Sequence, residues 1–379
     1  MHIVVAGHIC LDIIPTFPAS SRGDLVQPGK LIGVEPATLC TGGVVSNTGV
    51  ALHRLGVPVK LAGKVGDDRF GSLVLDLLRS QGESLADGMI VSPGAVTSYS
   101  VILSPPGVDR TFLHCPGANE TYRAADIPAA ALQGARYFHF GYPPVMKSMY
   151  EDDGAELERV FALAKSAGAT TSLDLCQPDR GSPAAAADWR RIFARVLPKV
   201  DLFLPSIEEL LFLIDRPRYD ELSARGDVLS QVDGPLLHRL SGQLLDWGSK
   251  IVVMKLGEHG LYLRTSGDAS NLPGLNKQWS DRELIAPCFN VNVVGTTGSG
   301  DCTIAGFLAG MFKGLPTPQA VMTAAVGVGA CNVEVPDALS GVPTWEKLQT
   351  RLASGWKRRE VGLSLPGWTL DSSTQVWEK

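Results

Sequence analysis

Residues 293–308 read VVGTTGSGDCTIAGFL. A strand expected over 291–294 leads into a run of glycine, serine and threonine over 295–300. Asp301 follows, and then an apolar helical pattern. A strand, a glycine loop and a helix in succession make the βα unit of a layered α/β sheet. They also make a place for an anion, because the first amides of a helix lack internal partners and carry partial positive charge. Glycines at 298 and 300 let backbone N–H groups come close to a ligand. The small residues Ala305, Gly306, Ala309 and Gly310 suit tight packing of the helix beneath the loop. No Gly-Lys-Ser/Thr follows the loop, and glycines at 295, 298 and 300 do not spell G-x-G-x-x-G, so neither the Walker nor the dinucleotide pattern applies. Asp301 has two readings here: a charge complement to the helix N-terminus, or a general base beside a phosphate.

Outward from this unit, short apolar runs alternate with helical patterns. Strands are expected at 2–7, 59–66, 135–141, 170–175, 201–206 and 250–257. Helices are expected at 46–55, 71–82, 154–167, 185–197, 207–214 and 236–247. Strands separated by helices predict an α/β fold, a doubly wound and mostly parallel sheet with helices on both faces. Runs such as VVAG and VVM lack alternation, as befits strands covered on both sides. One region breaks the rhythm: TSYSVILSPPGVDRTFLHCPGAN (97–119) is two extended runs about a Pro-Pro-Gly turn, a hairpin. Residues 12–40 also lack helical period, and the two together predict a small β-sheet projecting from the main one. The stretches 215–235 and 265–286 read as surface excursions. The chain from 355 onward carries few signals and reads as an irregular tail.

Of 379 residues, 45% are hydrophobic and the net charge is -5. That is ordinary globular composition. An acidic balance excludes a nucleic-acid surface, which needs clustered Lys and Arg; Lys357-Arg358-Arg359 reads as a solvated helix end. No apolar run approaches the length of a membrane helix, and MHIVVAGHICLDIIP lacks the features of a signal peptide. Seven scattered cysteines without a C-x-x-C fit reduced thiols in the cytoplasm. Cys302 reads as a small helix residue.

A second constellation lies near the start. Residues 41–49 read TGGVVSNTG, where Gly42 and Gly43 precede a helix and Asn47 sits in its first turn. Asp12 follows the first strand, at the carboxyl-end side where α/β sheets bind ligands. A carboxylate, an amide and bare backbone suit the vicinal hydroxyls of a small polyol.

These motifs together resemble the ribokinase/PfkB family of carbohydrate and nucleoside kinases. TGGVVSNTGVALHRLGVPVKLAGKVGDDRFG (41–71) resembles the family's first signature, and VVGTTGSGDCTIAGFLAG (293–310) its second. LPSIEEL (204–210) resembles its N-x-x-E segment, VVMKLGEHGLYL (252–263) its nucleotide strand, and RTFLHCPGAN (110–119) its lid. The resemblance implies one ribokinase-like kinase domain over 1–354, with a β lid from about 12–40 and 97–119, and a C-terminal tail over 355–379. It implies ATP and magnesium. Asp301 matches the catalytic base, and Gly298, Ser299 and Gly300 the anion hole. Asp12, Gly42, Gly43 and Asn47 match sugar contacts, and Arg110 is placed to meet an anionic substrate group. Lys255, Gly257, Gly260 and Thr297 line the nucleotide side, while Glu209 matches the glutamate that organises magnesium through water.

Three positions depart from the pattern. Gly295 stands where the family has an aspartate that helps hold a monovalent cation, which counts against potassium activation. Ser206 replaces the asparagine of N-x-x-E, and Asp337 stands where a glycine is frequent. The expected activity is ATP-dependent phosphorylation of a primary hydroxyl on a small sugar or sugar derivative by a cytoplasmic enzyme with no nucleic-acid or membrane partner. A nucleoside kinase of the adenosine type and a sugar-binding homologue without turnover are the alternatives. An exposed sheet edge needs covering, which admits a homodimer through the lid.

Overall fold

Ile3 and Val5 of the first strand join one apolar layer, and Val4 and Ala6 join the layer on the opposite face. Ile251 and Val253 against Val252 and Met254 repeat the division at the centre of the sheet. This two-sided burial is why the strands read as unbroken apolar runs. The computed structural model describes residues 1–18, 28–107 and 110–379.

In chain order the strands are β1 (His2–Gly7), β2 (Cys10–Thr16), β3 (Glu35–Gly42), β4 (Val59–Ala62), β5 (Lys64–Gly66), β6 (Ile90–Ser92), β7 (Tyr99–Leu103) and β8 (Thr111–Cys115). They continue as β9 (Ala135–Gly141), β10 (Thr170–Asp174), β11 (Leu202–Phe203), β12 (Ile251–Lys255), β13 (Leu261–Thr265), β14 (Glu283–Ala286), β15 (Thr369–Asp371) and β16 (Val376–Glu378). The main sheet has ten strands in the order β15-β16-β14-β13-β12-β11-β10-β9-β1-β4. From β4 to β12 neighbours run parallel; from β12 to β15 they run antiparallel. β1 connects outward to β4 on one side, while the chain resumes at β9 on the other. The crevice beyond the carboxyl ends of β1 and β9 is therefore the switch point where such sheets bind ligands.

Directly after β1 the chain enters a second sheet of four strands, ordered β3-β2-β7-β8. This is the expected lid, and its β7–β8 pair is the hairpin expected over 97–119. The expected lid spans include residues 19–27 and 108–109, which lie outside the described residues.

Five expectations are corrected. Residues 291–294 are not a strand: Val293 and Val294 face solvent, and the amides of Val294 and Gly295 both donate to the carbonyl oxygen of Val333. The excursion at 265–286 ends in β14, whose Leu284, Ile285 and Ala286 are buried. That at 215–235 contains a helix, Arg216–Ala224, burying Tyr219 and Leu222. The tail is not irregular, since β15 and β16 extend the main sheet along β14. Nor are Lys357–Arg359 a solvated helix end. Arg358 stacks on Phe289 at 4.3 Å and donates to the carbonyl oxygen of Pro287, pinning the tail across residues 287–290.

The helix Ser299–Phe312 lies under the glycine loop and against the helix Pro318–Asn332. A Cβ on Gly306 would stand 2.9 Å from the Cα of Ala325. The two backbones therefore touch, and a larger residue there would cost about 1–3 kcal/mol.

Candidate active site

Two glycines open the helix Val44–Arg54, each for a different steric reason. A Cβ on Gly42 would lie 2.2 Å from Asp12 Oδ2, and one on Gly43 would lie 2.5 Å from His8 Nδ1. The pair thus leaves room for His8 of the β1–β2 connection and for Asp12 of β2. Gly43 caps the helix with φ 84°, and its carbonyl oxygen accepts from the Asn47 amide at 2.8 Å. This holds Asn47 in the first turn, facing the helix Ser299–Phe312.

Asp301 sits in the first turn of that second helix and is 4% exposed. Asn47 Nδ2 donates to its Oδ2 at 3.0 Å, and the Thr48 hydroxyl donates to Oδ1 at 3.4 Å. The Tyr142 hydroxyl spans both oxygens, at 2.8 Å and 3.0 Å. Burial raises the Asp301 carboxyl above its ordinary range, opposed by the charge of Lys255 and by these donors. Three donors converging on one carboxyl favour its charged form.

The loop ahead of Asp301 has a tight geometry. Gly298 is left-handed at φ 68°, and a Cβ on it would meet the carbonyl oxygen of Ala338 at 2.8 Å. Gly300 lies against Lys255, whose Cδ would be 3.4 Å from an added Cβ. Lys255, at the end of β12, pairs with Asp174 at the end of β10 over 2.6 Å and stands 3.9 Å from Glu209 Oε2. Burial pushes the Asp174 carboxyl up to about 8, with the Lys255 ammonium pulling the other way. Burial alone would lower the Lys255 ammonium, but Asp174 and Glu209 outweigh it and hold it raised. Asp174 Oδ2 is buried and has no hydrogen-bond partner.

Glu209 and Ser206 form a reciprocal cap on the helix Ile207–Ile214. The Ser206 amide donates to Glu209 Oε2 at 2.7 Å, and the Glu209 amide to Ser206 Oγ at 3.1 Å. Serine thus does here what an asparagine could also do. The backbone bridge of Ser206 to Lys255 sets this cap beside the lysine.

On the lid side, Asp12 accepts from Cys10 Sγ at 3.2 Å, and burial pushes its carboxyl up to about 6. His8 and His114 lie 5.2 Å apart by ring centroid, and Ser100 Oγ bonds His114 Nδ1 at 3.0 Å. Arg110 reaches from the lid to the glycine loop, donating to the hydroxyls of Thr297 and, at 3.1 Å, Thr296. Its guanidinium therefore ties lid to loop. Gly257 and Gly260 form the β12–β13 turn with φ 53° and 104°. A Cβ on Gly260 would stand 2.1 Å from the carbonyl oxygen of Ala286, so β14 demands that glycine.

Gly295 is packed under the segment after the helix Pro318–Asn332. A Cβ on it would lie 2.9 Å from both Pro336 Cα and Val335 O. Asp337 is engaged in its own turn, accepting from the amides of Leu339 at 2.9 Å and Ser340 at 2.7 Å.

Of the expected residues, Asn47 and Asp301 meet directly; Lys255, Gly300 and Glu209 cluster beside them, and Arg110 and Thr297 bridge the lid to the loop. Asp12 and Gly42 pack together on the lid side. Thr48, Asp174 and the Tyr142 hydroxyl escaped sequence reasoning altogether. Asp174 closes a buried strand, TTSLD, and a carboxylate at that carboxyl end was a usable signal.

A family model described as pfkB family carbohydrate kinase matches residues 2–345. A probable fructokinase-4 of Arabidopsis thaliana is 25% identical over 362 residues, covering 92% of this chain and 96% of that protein. The 2-dehydro-3-deoxygluconokinase of Bacillus subtilis is 26% identical over 329 residues, with 82% and 86% covered. The solved structure of Arabidopsis thaliana ribokinase complexed with ribose and ATP matches with a TM-score of 0.70 at 19% identity, covering 93% of this chain and 98% of that one. This last likeness is one of fold alone.

Proposed function

The chain belongs to the PfkB family of carbohydrate kinases, and we propose that it transfers the γ-phosphoryl group of ATP to a primary hydroxyl of a small sugar, with Asp301 as general base. The observation that carries this reading is the Asp301 carboxylate itself. It is buried in the first turn of a helix, directly behind a glycine loop, held by Asn47, Thr48 and Tyr142 and faced by Lys255.

The acceptor oxygen would attack the γ-phosphorus as its proton passes to Asp301, and the bridging oxygen would leave with ADP. The first-turn amides at 298–301 and the partial positive charge of a long helix oppose the charge that builds on the phosphoryl oxygens. Lys255, poised against Gly300, adds a full positive charge next to that loop. Asp12, with Gly42 keeping space open for it, suits a pair of sugar hydroxyls. The Arg110 bridge from lid to loop supports a closed arrangement that excludes water.

Among the described residues no group of three or more ligating side chains could hold a metal alone. Two carboxylates, Glu209 and Asp174, flank Lys255, and one oxygen of Asp174 is unpartnered. That set fits magnesium, which takes one or two carboxylates and completes its shell with water and phosphate oxygens. Glu209 and Asp174 would hold it, and when bound it supplies neutralisation of the phosphate charge.

ADP release from MgATP across a panel of sugars and nucleosides tests the reading. Turnover with a sugar, reduced by at least ~10² in Asp301→Asn, is the expected result. Binding without turnover on every compound, or near-normal turnover in Asp301→Asn, would overturn it.

A further inference from the structure

Tyr142 follows β9 at the carboxyl end and adopts a left-handed backbone, φ 67° and ψ 37°. That region is unfavourable for a bulky side chain and persists only where the surroundings over-determine it. The carbonyl oxygen of Tyr142 accepts from the Val145 amide at 3.1 Å, and its other contacts lie in the crevice. Its amide donates to the carbonyl oxygen of Asp174 at 3.3 Å, and its ring stacks on His8 at 6.0 Å with planes 25° apart. Its hydroxyl ends on Asp301.

The three donors to Asp301 are not equivalent. Asn47 and Thr48 come from one helix packed on the helix of Asp301, and both are buried. Tyr142 is partly exposed, and it alone places an O–H across both carboxylate oxygens. A substrate hydroxyl delivering its proton to Asp301 must present the same group to the same oxygens.

We propose that the Tyr142 hydroxyl occupies the acceptor's place on Asp301 while no sugar is bound, and that the sugar hydroxyl displaces it. The inference rests on Asp301 being the base. Tyr142 is then a positioning residue that denies the base to water. In the reaction it prevents, a water oxygen bonds to the γ-phosphorus and the bond from phosphorus to the bridging oxygen breaks. The bonding pair leaves with ADP, and the water proton passes to Asp301. With the tyrosine hydroxyl in place, the carboxylate has its lone pairs engaged and water stays unactivated.

The test is ADP release by the full chain with MgATP and no sugar. Tyr142→Phe keeps the ring and removes the hydroxyl; sugar-free release should rise about tenfold, well within what a positioned base supplies. The rise should vanish in Tyr142→Phe/Asp301→Asn. Tyr142→Asn, whose side chain tolerates the left-handed backbone, should leak likewise and serves if the phenylalanine variant melts early. Unchanged sugar-free release in both variants, or a rise that survives Asp301→Asn, would overturn the proposal. Full sugar phosphorylation by Asp301→Asn alone would instead overturn the assignment of the base, so the two failures are separable.

Discussion

Asn47 Nδ2 and Asp301 Oδ2 lie 3.0 Å apart, although 254 residues separate them in the chain. The bond joins two helix starts, each opened by glycines, at one crevice. The Asn47 donor favours the charged form of Asp301 and so lowers its pKa, while burial raises it. A base must be ionised to act, so the rate should rise with pH along an acid limb above the ordinary carboxylate value of about 4. Asn47→Ala removes a donor to the charged form and should move that limb to still higher pH, with lower kcat. A pH profile of kcat/KM for both proteins checks it; coincident limbs would show that the bond does not tune the base.

Lys255 and Asp174 form an ion pair that is almost wholly buried, with Glu209 close by. Lys255→Met leaves the Asp174 carboxyl buried beside other acids, which should destabilise the fold by about 3–5 kcal/mol. Asp174→Asn added to it should recover most of that loss without recovering turnover. Urea unfolding of the single and double variants decides: a double variant no more stable than the single would mean the lysine matters for packing rather than charge.

Asp12 carries a folded-state pKa raised to about 6, chiefly by burial. A raised value means that folding takes up a proton. Stability from this group is therefore present below about 4 and is lost as pH rises through about 6. Asp12→Asn should accordingly melt higher than the parent at pH 7–8, with the gap closing as pH falls towards 4. It should also weaken sugar binding, seen as a raised KM at unchanged KM for ATP. A melting gap independent of pH would remove the electrostatic explanation.

Potassium should make no difference. The space a side chain at 295 would need is filled by Val335 and Pro336, and Asp337 is committed to its own turn. ADP release in potassium and in sodium buffers of equal ionic strength should coincide. A clear potassium requirement would show that the loop holds a cation without an aspartate at 295.

The fold was legible where burial is two-sided. VVAG and VVM can only be central strands, and glycines 42, 43, 298 and 300 marked both helix starts of the site. It was illegible where local polarity and tertiary need disagree. Val291, Val293 and Val294 look like a strand, yet they border the loop and Val293 and Val294 point to solvent. Leu284 to Ala286 are preceded by the charged run Asp281-Arg282-Glu283, and β15 and β16 are three residues each, too short to show a period. In the site, Asp301 and Asn47 could be named from their helix-start motifs. Tyr142 could not, because its role exists only once β9 delivers its hydroxyl to a carboxylate 159 residues away.

The placement of β16 has a consequence for biosynthesis. Its pairing covers the outer edge of β14, and Arg282 and Gln319 are tied to Glu378 on the same strand. A growing chain that has emerged only to the helix Trp345–Ala353 holds both halves of the catalytic crevice but presents β14 as a bare edge. Such an edge pairs readily with other strands. Aggregation of the nascent protein is therefore favoured in the interval between assembly of the crevice and the pairing of β16 with β14.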